Sequence, residues 1–301
     1  MSAKRAPTVL PIASGLCVVV LWASAFPAIR AASPELGVIG LSLVRLLVAA
    51  VALLALAPFL KVRLPARRDL PLIIACAFFG MTAYQLLLNW GELYVPAGTA
   101  SIIVASAPLV SVGIAAYFFK ERISGIKIAG SVVAIAGVVL VCLARTGVSL
   151  SAAVWIVVAA MVVQGIYHPL TKPLLRRYTG MEVATYGMAF GTVMTAPFVP
   201  WGIADIFSAG TPAWVAAIYL GLFPSALGFV LWGYAVARLN VAASTSLLYL
   251  VPPVAVAISF FWLGEIPVAG ELAGGAVVIA GVVWLSQGER LMGRLKATPV
   301  K

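Results

Sequence analysis

Long apolar stretches separated by short polar links run along nearly the whole chain. A helix needs about 20 apolar residues to cross the hydrocarbon core of a bilayer. The pattern therefore predicts an all-α integral membrane protein with ten transmembrane helices. We place them at residues 8–29, 38–60, 70–92, 96–118, 125–144, 150–171, 181–203, 212–236, 241–263 and 269–287. The longest clearly polar link, Lys61–Asp69, is too short to form a soluble domain.

The second half of the chain repeats the first at a fixed distance. Three pairs of like residues are each 144 positions apart: Pro108 with Pro252, Glu121 with Glu265, and Gly137 with Gly281. A single offset held over such a stretch indicates an internal duplication. We therefore divide the chain into a first repeat at residues 1–145 (helices 1–5) and a second at residues 146–301 (helices 6–10), which ends in a short basic tail. The paired glycines are expected to permit close helix packing.

Composition and charge agree with a membrane protein. The chain is 63% hydrophobic and 10% charged, against roughly 45–50% and about 25% in soluble domains. The net charge of +11 invites a nucleic-acid interpretation, but seventeen of the twenty Lys and Arg residues fall in links predicted on one side. This is the positive-inside pattern. It predicts both termini in the cytoplasm, an inner-membrane location and no nucleic-acid partner.

The two halves are predicted to lie antiparallel in the membrane. Five helices is an odd number, so the second half begins on the opposite side from the first. The duplicated link agrees, because its first copy begins Lys120-Glu-Arg and its second Gly264-Glu-Ile, which has lost the cations. Inverted repeats are typical of alternating-access carriers, whose substrates bind near the bilayer midplane.

Polar side chains inside the third predicted helix are candidates for binding a small-molecule substrate. Tyr84, Gln85 and Asn89 lie there, and Gln85 and Asn89 share a face because they are four residues apart. Polar groups at membrane depth are costly and are functional candidates by default. The patch would hydrogen-bond a substrate amine or carboxylate. The alternative is that the amides join neighbouring helices.

The sixth predicted helix carries Gln164, Tyr167 and His168. Alignment of the repeats places this segment opposite Trp22 of the first helix, which predicts a central cavity with aromatic groups on one side and amides with an imidazole on the other. The alternative for His168 is a structural hydrogen bond. It precedes Pro169, whose missing N–H frees a carbonyl one turn earlier.

A second set of residues is assigned to gating or to a hinge. Arg45 is the only cation deep in a predicted span, where it would either attract an anionic group or cap carbonyls and extend towards the interface. Pro108, Pro252 and Pro253 interrupt helices four and nine at matched depth, and interrupted helices in corresponding positions point to the binding region of a carrier.

The number and placement of Asp, Glu and His residues argue against an enzyme or a metal site. Asp and Glu are absent from the middle of every predicted span, with Glu92 placed at a span end. A membrane enzyme would need clustered His, Asp or Glu for acid–base or metal work, and the chain has one histidine. We predict no catalytic residues, metal or cofactor. A transport-inactive receptor or scaffold is the remaining different class.

The repeated Ala-Gly-Val-Val segments, with Trp22 in the first helix and Arg45 in the second, resemble the drug/metabolite transporter superfamily. Its EamA-type exporters, which carry two EamA repeats, are the most similar branch, and the resemblance covers essentially the whole chain. It implies a secondary transporter that exports neutral amino acids or related small metabolites, as a monomer or homodimer in the lipid bilayer. Drugs or sugar derivatives are the alternative substrates.

Within that branch, aromatic amino-acid exporters of the YddG kind tend to carry Tyr-Leu-Trp-Pro in helix four. Here the corresponding place reads Ala105-Ser-Ala-Pro108, and its counterpart in the second half reads Tyr249-Leu-Val-Pro252. The departure argues against an aromatic amino acid as substrate. It also makes Tyr249 a candidate substrate-binding residue.

Overall fold

The computed structural model describes residues 9–119, 125–146, 152–238 and 247–297. Throughout these ranges the regular structure is helical, without a strand. The helices are α1 (Val9–Leu56), α2 (Leu70–Ala77), α3 (Tyr84–Glu92), α4 (Ala97–Val104), α5 (Ala107–Phe119), α6 (Gly125–Thr146), α7 (Ala152–Leu175), α8 (Gly180–Thr195), α9 (Ile203–Ser208), α10 (Thr211–Leu220), α11 (Gly228–Arg238), α12 (Val251–Leu263) and α13 (Ala269–Ala297). Short 3₁₀ turns occupy Arg67–Asp69 and Ala196–Trp201, and π-helical segments occupy Phe78–Ala83 and Gly221–Leu227.

Within the described ranges, four helical stretches are long and apolar enough to cross a membrane. They are Val9–Leu56, Arg67–Glu92, Ala153–Leu175 and Thr211–Ala235. Shorter apolar helices lie at Ala97–Ser111, Ile128–Val141, Val251–Leu263 and Ala269–Trp284. The all-α fold is confirmed, whereas the count of ten crossings stays a prediction. Glu121, the link around Lys120 and most of the predicted junction between the halves lie outside the described residues.

The first two predicted spans are two helical arms that meet at a sharp break. The sequence predicts a link between residues 29 and 38, and the helical backbone breaks within that range at Gly37, where φ is 64° and ψ is 173°. This backbone region is essentially restricted to glycine. The break divides α1 into a first arm at residues 9–36 and a second arm at residues 38–56.

The π-helical segments occupy corresponding places in the two halves. Phe78–Ala83 joins α2 to α3, and Gly221–Leu227 joins α10 to α11. The segments end at Ala83 and Leu227, which are 144 residues apart, the offset of the sequence repeat. Pro224 lacks the N–H that an α-helix would use, which favours the wider turn in the second copy. Such segments occur frequently at functional sites.

Both predicted helix interruptions at prolines are present. α4 ends at Val104 and α5 begins at Ala107, directly before Pro108. In the second half, residues 249–250 form a turn and α12 begins at Val251, with Pro252 next. Proline favours the first turn of a helix because the N–H that it lacks would have no partner there. Each proline therefore starts a helix after a break.

Packing divides the molecule into an interior around α1 and a tight helix pair, α6 with α13. The two arms of α1 pack against α3, α8, α10, α11 and α12. In the α6–α13 pair, a Cβ added at Gly281 would lie 2.4 Å from the Ala134 backbone nitrogen, and one at Gly137 would lie 2.6 Å from that of Val278. Only glycine permits so close an approach, as the repeated glycines predict.

Candidate functional site

The predicted polar face of α3 is buried against the second arm of α1. Asn89 is 0% exposed and Gln85 is 2% exposed. The Asn89 Nδ2 donates to Ser42 Oγ at 2.8 Å, while Asn89 Oδ1 and Gln85 Oε1 have no partner within the described residues. A buried polar atom left without a hydrogen bond costs about 1–3 kcal/mol. Two amide oxygens that face the interior without a donor are therefore candidates for binding a ligand.

Arg45 extends from the second arm of α1 into the same interior. It is 6% exposed, so its guanidinium does not extend to the surface. Its Nε donates to Ser225 Oγ at 2.8 Å, and its Nη1 has no partner among the residues described. Tyr84 lies within electrostatic range of the guanidinium. Ser225 belongs to the second π-helical segment, so Arg45 connects the two halves of the chain.

Trp22 contacts Pro224, which precedes Ser225 in the second π-helical segment. Its Nε1 donates to the Pro224 carbonyl at 3.0 Å. Its ring centroid lies 5.4 Å from that of Phe229 and 5.5 Å from that of Trp232. Trp22 and Arg45 thus contact consecutive residues, and an aromatic cluster lies beside the buried arginine.

The three candidates on α7 lie near the first π-helical segment. Tyr167 is buried, and its ring packs so closely on Gly80 that an added Cβ would lie 2.2 Å from its Cδ2. The His168 ring is partly buried, with its centroid 5.7 Å from that of Tyr167. Gln164 is half-buried, and its buried Oε1 has no hydrogen-bond partner in the described chain. α7 packs on α3, which carries Gln85 and Asn89. The three unpartnered amide oxygens therefore lie on two neighbouring helices.

The remaining predicted residues lie on other elements. Tyr249 is buried, and its hydroxyl donates to the Val282 carbonyl of α13 at 3.2 Å, a contact that fixes it against the helix pair. Pro252 is buried and Pro253 is exposed, and Pro108 is half-buried. The helix that Pro108 begins packs on α7, where Ser111 Oγ donates to the Gly165 carbonyl at 2.8 Å.

Sequence reasoning missed Glu92. The sequence predicts this residue at the end of a span, where a carboxylate would face water. It does end α3, but its side chain is 0% exposed. Neither carboxylate oxygen has a hydrogen-bond partner within the described residues. The signal available in the sequence was the spacing, because Glu92 is three residues after Asn89 and continues the face of Gln85 and Asn89.

Charged residues outside the interior connect the two halves at each end. At the end of α3, Arg30 donates to the backbone carbonyls of Glu92 and Leu93, and its Nε lies 3.6 Å from Glu265 Oε1. Glu265 in turn accepts from the Ala97 N–H at 3.0 Å. These contacts hold the turn after α3 against the link before α13.

The opposite end is held by a cluster of ion pairs. Glu182 accepts from Arg63 Nε at 2.7 Å and Nη2 at 2.9 Å. Asp69, in the 3₁₀ turn before α2, accepts from the Tyr178 hydroxyl at 2.8 Å and from the guanidinium of Arg177. The Tyr178 hydrogen bond and the Arg177 charge hold the pKa of Asp69 below its usual range.

Comparison with known proteins assigns a family. The profile of the EamA-like transporter family matches residues 9–143 and again residues 151–287. A protein named "Probable terminal-alkyne amino-acid exporter" from Streptantibioticus cattleyicolor is 54% identical over 92% of this chain and 92% of its own. An uncharacterized transporter of Bacillus subtilis, YdfC, is 33% identical over 92% of this chain and 91% of its own.

A solved crystal structure has the same fold. It superposes with a TM-score of 0.68 at 17% sequence identity and covers 99% of this chain and 100% of its own. The named relatives are transporters and not enzymes. Across the described residues, no group of His, Cys, Asp and Glu is arranged to hold a metal ion.

Proposed function

Because the chain belongs to the EamA-like transporter family of integral membrane proteins, we propose that it exports neutral amino acids across the inner membrane. The name of the Streptantibioticus relative supports an amino-acid substrate, and a small amino acid with a terminal alkyne is the first to test. The absence of the Tyr-Leu-Trp-Pro segment at Pro108 supports a small side chain over an aromatic one.

The buried amide oxygens carry the proposal. Gln85 and Asn89 on α3 and Gln164 on α7 each hold a buried oxygen without a donor within the described part of the chain. All three are acceptors, so a ligand that satisfies them must donate hydrogen bonds. An ammonium group has three donors and no acceptor, and every α-amino acid carries one at neutral pH.

The mechanism that we propose is alternating access between two inverted five-helix halves, residues 1–145 and 146–301, with both termini in the cytoplasm. Corresponding contacts support it. Trp22 of the first half packs on the second π-helical segment, and Tyr167 of the second half packs on the first. Symmetric contacts of this kind allow one half to rock against the other around a site between them.

Counterflow in proteoliposomes tests the function directly. Vesicles loaded with unlabelled propargylglycine, a small amino acid with a terminal alkyne, should accumulate the labelled compound in excess over empty vesicles. External alanine or norvaline should compete, whereas sugars and cationic drugs should not. Absence of counterflow with every neutral amino acid, together with counterflow of a sugar or a drug, would contradict the proposal.

A variant pair links the flux to the site. Asn89→Leu removes one unpartnered oxygen together with the bond to Ser42, and should reduce counterflow at least tenfold. Thr192→Val is the matched control, because it removes a hydroxyl that bonds the Met188 carbonyl within α8. It should leave counterflow unchanged.

Export in cells is tested by whether expression of the protein protects the cells against a toxic amino-acid analogue.

A further inference from the structure

Two buried ionisable side chains lie in the interior without completing their hydrogen bonds. Glu92 is 0% exposed and neither of its carboxylate oxygens has a partner, while Arg45 is 6% exposed and its Nη1 has none, counting only described residues. Removing an ion from water without a partner costs several kcal/mol. Protein interiors rarely hold such a pair unless something else satisfies it, so the two groups require an explanation.

The two side chains lie near each other but do not form an ion pair. Each falls within the electrostatic field of the other, yet no ion pair joins them in the part of the chain that the structure describes. The other nearby charges are otherwise engaged, because Arg30 binds backbone carbonyls and pairs with Glu265. A direct Arg45–Glu92 ion pair would have satisfied both groups, and without it Arg45 Nη1 and both Glu92 carboxylate oxygens stay without a partner in the described residues.

The buried unpartnered atoms of the two helices differ in hydrogen-bonding character. Those of α3 are acceptors: Gln85 Oε1, Asn89 Oδ1 and the Glu92 carboxylate oxygens. The one on the second arm of α1 that belongs to a cation is the donor Arg45 Nη1. The Asn89–Ser42 hydrogen bond holds the two helices side by side. A complementary ligand therefore has a donor group at one end and an acceptor group at the other.

We propose that Glu92 binds the α-ammonium group of the substrate and Arg45 its α-carboxylate. The substrate class is then zwitterionic α-amino acids with uncharged side chains. This inference rests on the proposed function and adds to it two recognition residues and the requirement for both charged groups. Charge-assisted hydrogen bonds are the strong ones in such sites, so an amine or a carboxylic acid alone should bind weakly.

The test compares three ligands on the full-length protein in proteoliposomes. They are propargylglycine, the amine that lacks its carboxylate, and the carboxylic acid that lacks its amine. The wild-type protein should bind propargylglycine at least tenfold more tightly than either analogue in competition assays. An analogue that competes as well as the amino acid overturns the proposal, even if no variant can be purified.

Variants then assign each end of the ligand. Glu92→Gln should raise the KM for propargylglycine by roughly 10- to 100-fold, the loss of one charge-assisted hydrogen bond, and leave competition by the acid unchanged. Arg45→Gln should also raise the KM for propargylglycine, but it should leave competition by the amine unchanged. Glu35→Gln is the control, because this exposed carboxylate accepts from the Gly210 N–H and has no contact with Arg45 or Glu92 among the hydrogen bonds of the described residues.

The outcomes separate this inference from the proposed function. A Glu92→Gln protein that keeps the wild-type KM, or that loses all three ligands equally, overturns the assignment of Glu92 while amino-acid export stands. A wild-type protein without amino-acid flux overturns the proposed function itself. Glu92→Asp, which keeps the charge, should restore part of the affinity, and size-exclusion chromatography verifies that each variant is folded.

Discussion

The α6–α13 helix pair permits a matched test of packing, with the same chemical change at two glycines. A Cβ at Gly281 would lie 2.4 Å from the nitrogen, 2.7 Å from the Cα and 2.8 Å from the Cβ of Ala134. Ordinary carbon contacts are about 3.5–4.0 Å, so Gly281→Ala must push the helices apart by about 1 Å. At Gly113 in α5, an added Cβ meets nothing within 4 Å.

The two substitutions should change stability in opposite directions. Alanine in place of a helical glycine gains about 1 kcal/mol, and this gain applies to both variants. Overpacking typically costs about 1–3 kcal/mol, and this cost applies only at Gly281. We therefore expect Gly281→Ala to be less stable than Gly113→Ala by about 1–3 kcal/mol, with Gly113→Ala at or above wild type.

Thermal unfolding of the purified variants in detergent, followed by tryptophan fluorescence, measures the difference. Counterflow should show an unchanged KM for propargylglycine in both variants, because Gln85, Asn89 and Gln164, which carry the proposed function, lie on α3 and α7. Equal melting temperatures for the two variants would refute the close approach of α6 and α13. A raised KM in Gly281→Ala with unchanged stability would refute the separation of this helix pair from the site.

Three further predictions concern Trp22 and the ends of the molecule. Trp22→Phe keeps the aromatic packing but loses the hydrogen bond to the π-helical segment, and should reduce counterflow several-fold with little change in melting temperature; an equal loss of both would contradict a local role. Arg63→Gln and Glu182→Gln should each destabilise the protein, and the loss in the double variant should be smaller than the sum of the two single losses; additive losses would show that the pair is not coupled. The depressed pKa of Asp69 contributes stability that is present above its unfolded pKa of about 3.9 and is lost as the pH falls through the folded value. Melting temperatures measured from pH 7 to pH 3 should therefore fall less in Tyr178→Phe than in wild type, and parallel curves would contradict the linkage.

The sequence predicted the helical class and the location of the helix breaks because both follow from local properties. Apolar length predicts spans, and Pro108 and Pro252 predict interruptions, since proline acts on its own turn of helix. The break between the first two spans was predicted between residues 29 and 38, but not its place at Gly37, because helix propensity does not reveal where the chain requires a positive φ. The π-helical segments were missed for a related reason, since Phe78–Ala83 contains no proline.

The candidate site was predicted in part, but the burial of its residues was not. Gln85 and Asn89 were selected as candidates because an amide inside an apolar run is visible in the sequence. Glu92 is equally visible but ends its helix, and such a residue normally faces water. Its complete burial comes from the packing of α1 and α7 around α3, which depends on tertiary contacts far apart in the chain. Tyr249 was chosen from its position in the repeat, and its bond to Val282 likewise depends on tertiary packing.

The matched π-helical segments also record the history of the chain. A wide turn accommodates one more residue than the regular helix, so it behaves as a small insertion in the backbone. Phe78–Ala83 and Gly221–Leu227 end at the offset that separates the repeats, although their sequences differ and only the second contains a proline. Duplication of a half that already carried the turn accounts for this matched position. The different residues of the two copies then show that more than one sequence can form the turn.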